Sequence, residues 1–440
     1  MMINRRDFLK GAVGTAVVAM TARSYGNIIG ANDRVNVAVI GTRSRGKSLL
    51  GDLIKSKFAN VTHICDVDSR VLDTTFAYVS SLNAPLPTGH SDMRRLLDAS
   101  DLDAVVIATP DHWHATASVM SLKAGMHVYV EKPSGHNPQE GQILEQAQQK
   151  YQRFVQMGNQ QRSSPETIEL MGLIARGEIG EPYHADCWYA NNRQTIGNGV
   201  NQVVPDYLDW DLWQGPAPRR QYADNIVPYN WHWFWLWGTG ELCNNAAHEL
   251  DIARWALGVD FAKQVTVDGS RRFFSDDDWE MYDTLFARYE FEHGKSIAWE
   301  GHSCNKVLKW NRSRGAMIYG TRGSVLVDRS GYTLFNLDGD VVRENVNSAE
   351  RGDSSNLVGG GLLTSLHIDN FLKTINGMSS ELNSPIQEGL KSTLLCHLGN
   401  IAYRTDSVLN CDPNNGHILK NDLAQNLWGR EYEAGWNLKI

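Results

Sequence analysis

Val35-Asn36-Val37-Ala38-Val39-Ile40-Gly41-Thr42-Arg43-Ser44-Arg45-Gly46 decides how the rest of the chain is read. A short apolar run ends in a glycine, and a second glycine precedes Lys47-Ser48-Leu49-Leu50. A buried parallel strand, a tight turn and a helix N-terminus produce this pattern, and the amides at such a turn can hold a pyrophosphate. Against G-x-G-x-x-G, Gly41 and Gly46 match while Arg43 stands in the middle glycine's place. On this stretch alone, a phosphate loop and an ordinary strand-to-helix turn are both open.

Similar units recur along the next hundred or so residues. Val61-Thr62-His63-Ile64-Cys65-Asp66 reads as a second strand with an acid at its end, where a carboxylate can accept from an adenosine ribose. A 2'-phosphate would face that charge, at roughly 4 kcal/mol for about 4 Å and an effective dielectric near 20, so NAD is expected over NADP. Asp103-Ala104-Val105-Val106-Ile107-Ala108-Thr109-Pro110 is apolar enough for a strand covered on both faces, and exits through Asp111-His112-Trp113-His114. His127-Val128-Tyr129-Val130 leads to Glu131-Lys132-Pro133, and Phe154 to Gly158 leads to Asn159-Gln160-Gln161-Arg162. Strands alternating with helices predict a doubly wound parallel sheet over residues 34–160, with ligands beyond the strand carboxyl ends.

After Ser164-Pro165-Glu166, an N-cap with proline behind it, the character changes. Alternating runs at Tyr183 to Tyr189, Thr284 to Phe291, Ser296 to Glu300 and Ser324 to Asp328 predict an α+β domain over residues 161–440, built on a large, open, mostly antiparallel sheet. Residues from about 191 to 237 form an aromatic insertion, and 8 of the 14 tryptophans fall between Trp188 and Trp255. Within it, Trp231-His232-Trp233-Phe234-Trp235-Leu236-Trp237 alternates large rings. As a strand it would present a wall of indoles suited to sugar C–H faces, with Trp233 and Trp235 as substrate contacts; core packing is the equally open reading.

The totals narrow the function classes. A net charge of -8 and the lack of dense Lys/Arg runs exclude a phosphodiester-binding groove, so no nucleic acid is expected. The 6 cysteines contain no C-x-x-C pair, and no metal site is expected. Arg5-Arg6 before the short apolar run Gly11 to Met20 resembles a twin-arginine export signal, so residues 1–30 are read as a signal peptide and the protein as periplasmic, without a stable membrane anchor.

Glu131-Lys132-Pro133, together with Thr109-Pro110-Asp111-His112-Trp113-His114, Gly177-Glu178-Ile179-Gly180-Glu181 and the stretch Gly238 to Asp251, resembles the Gfo/Idh/MocA oxidoreductase family, and its exported twin-arginine type most of all. The resemblance implies a Rossmann domain, a C-terminal α/β domain whose open sheet makes oligomer contacts, and NAD(P)-dependent chemistry on sugars or other polyols. A homo-oligomer is expected. Lys132 and His248 are the implied catalytic pair, and the lysine agrees with its own chemistry: an ammonium beside a cationic nicotinamide is disfavoured, which prepares it for proton exchange. Pro133 is a candidate for a cis peptide. The family's aspartate four residues before the histidine is here Asn244, which cannot act as a base.

Cofactor contacts are expected from Gly41, Thr42, Arg43, Arg45, Gly46, Asp66, Thr109, Pro110, His112, His114, Glu131, Lys132 and Asn159. Substrate contacts are expected from Lys132, Arg162, Trp233, Trp235, Asn244 and His248. Glu131 is read as ordering its loop, and Asp251 with Arg254 as a local ion pair. The leading functional expectation is NAD-dependent oxidation at a carbinol carbon of a sugar or glycoside. Its competitor is a glycoside hydrolase that oxidises transiently, eliminates the substituent, adds water and returns the hydride, with NAD tightly bound because an exported enzyme has no free supply. A non-catalytic sugar-binding protein on the same fold is the third reading.

Overall fold

The computed structural model describes residues 34–346 and 361–440; the signal segment read at 1–30 lies outside them. The first half alternates β1 (Val35–Ile40), α1 (Ser44–Lys55), β2 (Ala59–Cys65), α2 (Ser69–Ser81), β3 (Thr88–His90), β4 (Ala104–Ile107), α3 (Asp111–Lys123), β5 (His127–Val130), α4 (Pro138–Tyr151) and β6 (Val155–Met157). Its parallel sheet has the order β3-β2-β1-β4-β5-β6, so the direction in which successive strands are added reverses between β1 and β4. Val37, Ala38 and Val39 are fully buried, because helices cover both faces and leave no solvent side for an alternating pattern. The edge strand β3 escapes sequence reading: Thr88-Gly89-His90 carries no apolar run.

After helix α5 (Pro165–Ala175), the second half builds a sheet of order β14-β13-β12-β11-β7-β10-β9-β8-β15. Its members are β7 (Pro182–Ala190), β8 (Gln264–Ser270), β9 (Thr284–Glu290), β10 (Ser296–His302), β11 (Arg314–Gly320), β12 (Ser324–Asp328), β13 (Gly331–Phe335), β14 (Val341–Val346) and β15 (Leu409–Asn410). All described neighbours are antiparallel except β7 and β10. One face supplies Ala185, Cys187, Leu285, Ala287 and Ile297 to a core completed by helices α6 (Ala247–Leu257) and α8 (Ile386–Thr405). The other face leaves Phe286 42% exposed.

Packing crosses the boundary between residues 34–160 and 161–440. Helix α7 (Leu362–Ile375), which precedes α8 in the chain, buries Ile368, Phe371 and Leu372 in the same cluster as Val37 and Val39 of β1. Fully burying each such side chain contributes about 1.5–3 kcal/mol. The C-terminal tail also returns to the first half: Trp436 meets Trp113 edge-on with centroids 5.0 Å apart, and Arg430 pairs with the buried Glu140 at 2.7 Å.

Candidate functional site

At the carboxyl edge of the parallel sheet, β1 gives way to Gly41 at φ +81°, with its missing Cβ position 2.7 Å from the Ala108 carbonyl oxygen. Gly46 serves packing rather than backbone conformation. A Cβ there would sit 1.7 Å from the Gly41 carbonyl oxygen, so only glycine lets the first turn of α1 rest on the loop. Arg43 caps α1 without a side-chain hydrogen bond, leaving the first-turn amides without a side-chain acceptor. Asp66 follows β2, and accepts from the Thr42 amide at 2.9 Å and the Asp68 amide at 3.1 Å; burial raises its pKa.

These groups open into a cavity of about 770 Å³. From the first half it is lined by Gly41, Arg43, Arg45, Asp66, Thr109, Pro110, His114, Glu131 and Lys132, and from the second by Asn244 and His248. Glu131 receives the Arg45 Nε at 2.8 Å and the Gln160 amide at 3.0 Å. Burial pushes its pKa up, but Arg45 and Lys132 outweigh it and hold the group below the ordinary range. It therefore orders the loop as a carboxylate. The Lys132-Pro133 peptide is cis.

Lys132 Nζ donates to the Asn244 carbonyl at 2.7 Å and to its side-chain oxygen at 3.1 Å. Burial lowers the lysine's pKa, against the opposing pull of Asp111, Glu131 and Glu241. Asn244 lies in a π-helical turn, Leu242–Ala246, that runs directly into α6. His248, one turn further on, is 6% exposed; burial, then Arg329 and Arg314, push its pKa well below the ordinary value and keep the imidazole neutral. The three side chains thus meet from two halves of the molecule.

Seven expected contacts do not line the cavity. Thr42 is 1% exposed and turns inward, its hydroxyl accepting from Thr75 at 3.1 Å. Gly46 acts by packing, as above. His112 is fully buried with Nε2 2.9 Å from the Trp213 carbonyl, and burial drives its pKa down to about 3. Asn159 is buried in the turn beyond β6, and its neighbour Gln160 reaches the cavity instead. Arg162 is locked to Asp251 at 2.7 and 2.9 Å, both nearly inaccessible. That pair replaces the expected Asp251–Arg254 contact; Arg254 turns to Asp260 and Glu388.

Trp233 and Trp235 are the remaining two corrections. Asn230–Trp233 is a short 3-10 helix, so the period-two spacing puts no ring wall on one side. Trp233 is 1% exposed and stacks on Trp279 at 4.2 Å, while Trp235 faces Tyr403 and Arg404 away from the cavity. The insertion serves instead as a roof. Leu208, Leu212, Trp213 and Trp231 line the same cavity as Gly41 and Asp66. The roof is tied down by Asp209 N to Val67 O (3.0 Å), Ser69 N to Tyr207 O (2.9 Å) and the Arg70 guanidinium 3.2 Å from the Tyr207 ring centre.

Sequence reasoning missed Arg193 and Arg314, which line the cavity while paired with Glu241 and Glu249, 48 and 65 residues distant. No local signal marks such pairs. Asp111 was also missed, although it stands at the same strand edge as the expected residues and lines the cavity.

The residues fit a dinucleotide: a glycine that no side chain can replace, uncapped helix amides and a carboxylate ending the neighbouring strand border one cavity. Residues 35–159 match the family model described as an oxidoreductase family with an NAD-binding Rossmann fold, and residues 188–329 match that of its C-terminal alpha/beta domain. Glycosyl hydrolase family 109 proteins of Shewanella sp. (strain W3-18-1) and Shewanella pealeana are 28% and 26% identical over 211 and 212 residues. Those matches cover 42% and 43% of this chain and 46% of each relative, so the chain matches about half the length of these curated relatives. Among solved structures, the WlbA dehydrogenase of Chromobacterium violaceum, in complex with NADH and UDP-GlcNAcA, superposes with a TM-score of 0.64 at 20% identity, covering 87% of this chain and 97% of that one. The aldose-aldose oxidoreductase of Caulobacter crescentus, complexed with glycerol, gives 0.64 at 16% identity, covering 86% and 99%. At these identities the likeness speaks for the fold. With both domains matched in order and the Rossmann loop, Lys132 and His248 facing one cavity, the chain belongs to the Gfo/Idh/MocA oxidoreductase family.

Proposed function

We propose that this protein carries out NAD-dependent redox chemistry at a carbinol carbon of a sugar or glycoside. The observation that carries this reading is the convergence of Lys132, Asn244 and His248 in the cavity that Gly41 and Asp66 also border. Bound nicotinamide supplies the hydride acceptor and donor. Gly41, Arg43 and the start of α1 hold the phosphates, and Asp66 holds the adenosine ribose. Asn244 fixes Lys132, whose remaining hydrogen-bonding capacity faces the substrate hydroxyl, and His248, neutral, accepts a hydrogen bond from the same or the adjacent hydroxyl.

A second reading is favoured by two observations, the similarity to proteins named glycosyl hydrolase family 109 and the roof over the cleft. In it, oxidation of one sugar carbon acidifies the neighbouring C–H, the glycosidic substituent is eliminated, water adds and the hydride returns. The roof supports a resident cofactor, which both an exported protein and a hydrolase with no net redox change require. Arg5-Arg6 and the run after it support export through the twin-arginine route, and the exposed Phe286 supports association through the open sheet face.

Nucleotide released from purified protein by denaturant, followed by reaction with aryl glycosides, tests both readings. Stoichiometric NADH supports the dehydrogenase, and aglycone without net NADH supports the hydrolase. A protein that yields no nucleotide and binds none in titration sinks both.

A further inference from the structure

The helix that carries His248 brings no free carboxylate to the cavity. Its entry turn presents Asn244 and Asn245, while Glu241 is engaged by Arg193 at 2.8 Å and Glu249 by Arg314 at 2.7 Å. A carboxylate enters the same cavity from the other half instead. Asp111, the first residue of α3, lines the same cavity as Lys132, Asn244 and His248 and is 5% exposed. Its Oδ2 accepts from the Thr239 hydroxyl at 2.5 Å, which fixes the plane of the group. No hydrogen bond among the described residues engages its Oδ1, and the residue borders the cavity.

Two further facts give this carboxylate a role. Asp111 is the charge that most supports the ammonium form of Lys132, whose Nζ already donates to both Asn244 oxygens. That arrangement makes the lysine a donor to a substrate oxygen and leaves the position of proton acceptor open. Burial, more than any other influence, raises the pKa of Asp111; His114, Lys132 and Thr239 oppose the rise and Cys243 adds to it. A carboxyl so placed can hold a proton where an ordinary aspartate would release it.

We propose that Asp111 is a further catalytic residue, the acceptor of the substrate hydroxyl proton, with Thr239 as its positioning residue. The inference rests on the redox reading above and deepens it. In the oxidative direction the O–H bond breaks, its electron pair stays on oxygen to form the carbonyl, and the proton moves to Asp111 Oδ1. The C–H bond of the same carbon breaks as well, and its electron pair would leave with the hydrogen as hydride, which the oxidised nicotinamide of that reading would take up. Reduction returns the proton from the carboxylic acid. Lys132 steadies the oxygen throughout, and His248 holds a neighbouring hydroxyl.

Asp111→Asn keeps an oxygen for Thr239 and removes only the acid–base function. It is expected to lower kcat about 10²- to 10³-fold with KM within about threefold, and to abolish the rise of kcat with pH at its acidic end. In Asp111→Ala, added formate is expected to restore part of the rate, an effect that a purely structural aspartate would not give. Independently of turnover, infrared spectra of the nucleotide-free protein should contain a protonated-carboxyl band that titrates above the ordinary aspartate range and is missing from Asp111→Asn. An Asp111→Asn rate within about threefold of the parent, or no formate rescue, overturns the assignment while leaving the redox reading standing. A parent protein without nucleotide and without turnover overturns both.

Discussion

The loop Gly41–Gly46 and the insertion at 191–237 both border one cavity, and they were not equally readable. The loop works through backbone: two glycines mark places where a Cβ would collide with a carbonyl oxygen 2.7 or 1.7 Å away, so residue type and position report the geometry directly. The insertion works through side-chain burial. Its alternating rings looked like one surface, but they sort into separate clusters, Trp231 and Trp237 with Trp210 and Trp213, and Trp233 with Trp279. A backbone constraint is local and leaves a mark in sequence; the destination of an indole depends on what the rest of the chain leaves open.

The sharpest test of this contrast lies where both regions meet. Lys132→Ala should lower turnover about 10²- to 10⁴-fold with the far-ultraviolet dichroism and bound nucleotide unchanged; an unaltered rate removes the lysine from the chemistry. Trp233→Ala should behave in the opposite manner. It empties a fully buried site in the stack with Trp279 and should cost about 3–5 kcal/mol of stability, read by denaturant titration, without changing KM for a sugar at temperatures where it stays folded. A raised KM with normal stability would restore Trp233 as a substrate contact.

Gly46→Ala probes the loop's side of the comparison. Forcing α1 off the Gly41 carbonyl should cost about 1–3 kcal/mol and weaken nucleotide binding relative to the parent, read by titration. Imidazoles buried as neutral groups add a dependence on pH. His112 and His367, both fully buried, have pKa values depressed to about 3 and about 4, so the unfolded chain binds their protons more readily. Their contribution to stability is complete above the ordinary value of 6.5 and falls as pH drops toward those depressed values, by up to about 1.4 kcal/mol per pH unit for each. Urea midpoints measured between pH 7 and pH 4 should fall accordingly, and His112→Gln should flatten the slope.

Much of the site was legible because the parallel sheet gathers it. Gly41, Asp66, Thr109 and Lys132 each follow a strand, and the carboxyl ends of parallel strands share one edge, with a crevice where the connections from the neighbours β1 and β4 leave in opposite directions. Reading went wrong at the same edge only where a side chain turned back. Thr42 and His112 lie beside lining residues yet point into the core, a choice made by Thr75 and by the Trp213 carbonyl. Arg162 has the composition of a ligand contact, but Asp251, 89 residues away, claims it.

Sequence by itself determined the strand–turn–helix units, the position of the nucleotide loop and the lysine at the end of β5, because each depends on neighbours within a few residues. Tertiary structure decided the rest: the helix α7 that closes the first domain's core from residues 362–375, the insertion that roofs the cleft, and the meeting of Asp111, Lys132 and Asn244. Those outcomes depend on which buried surfaces and charges find each other across more than a hundred residues, and 112 separate Lys132 from Asn244. Pairing at that distance is set by the packing of whole elements, which no local pattern encodes.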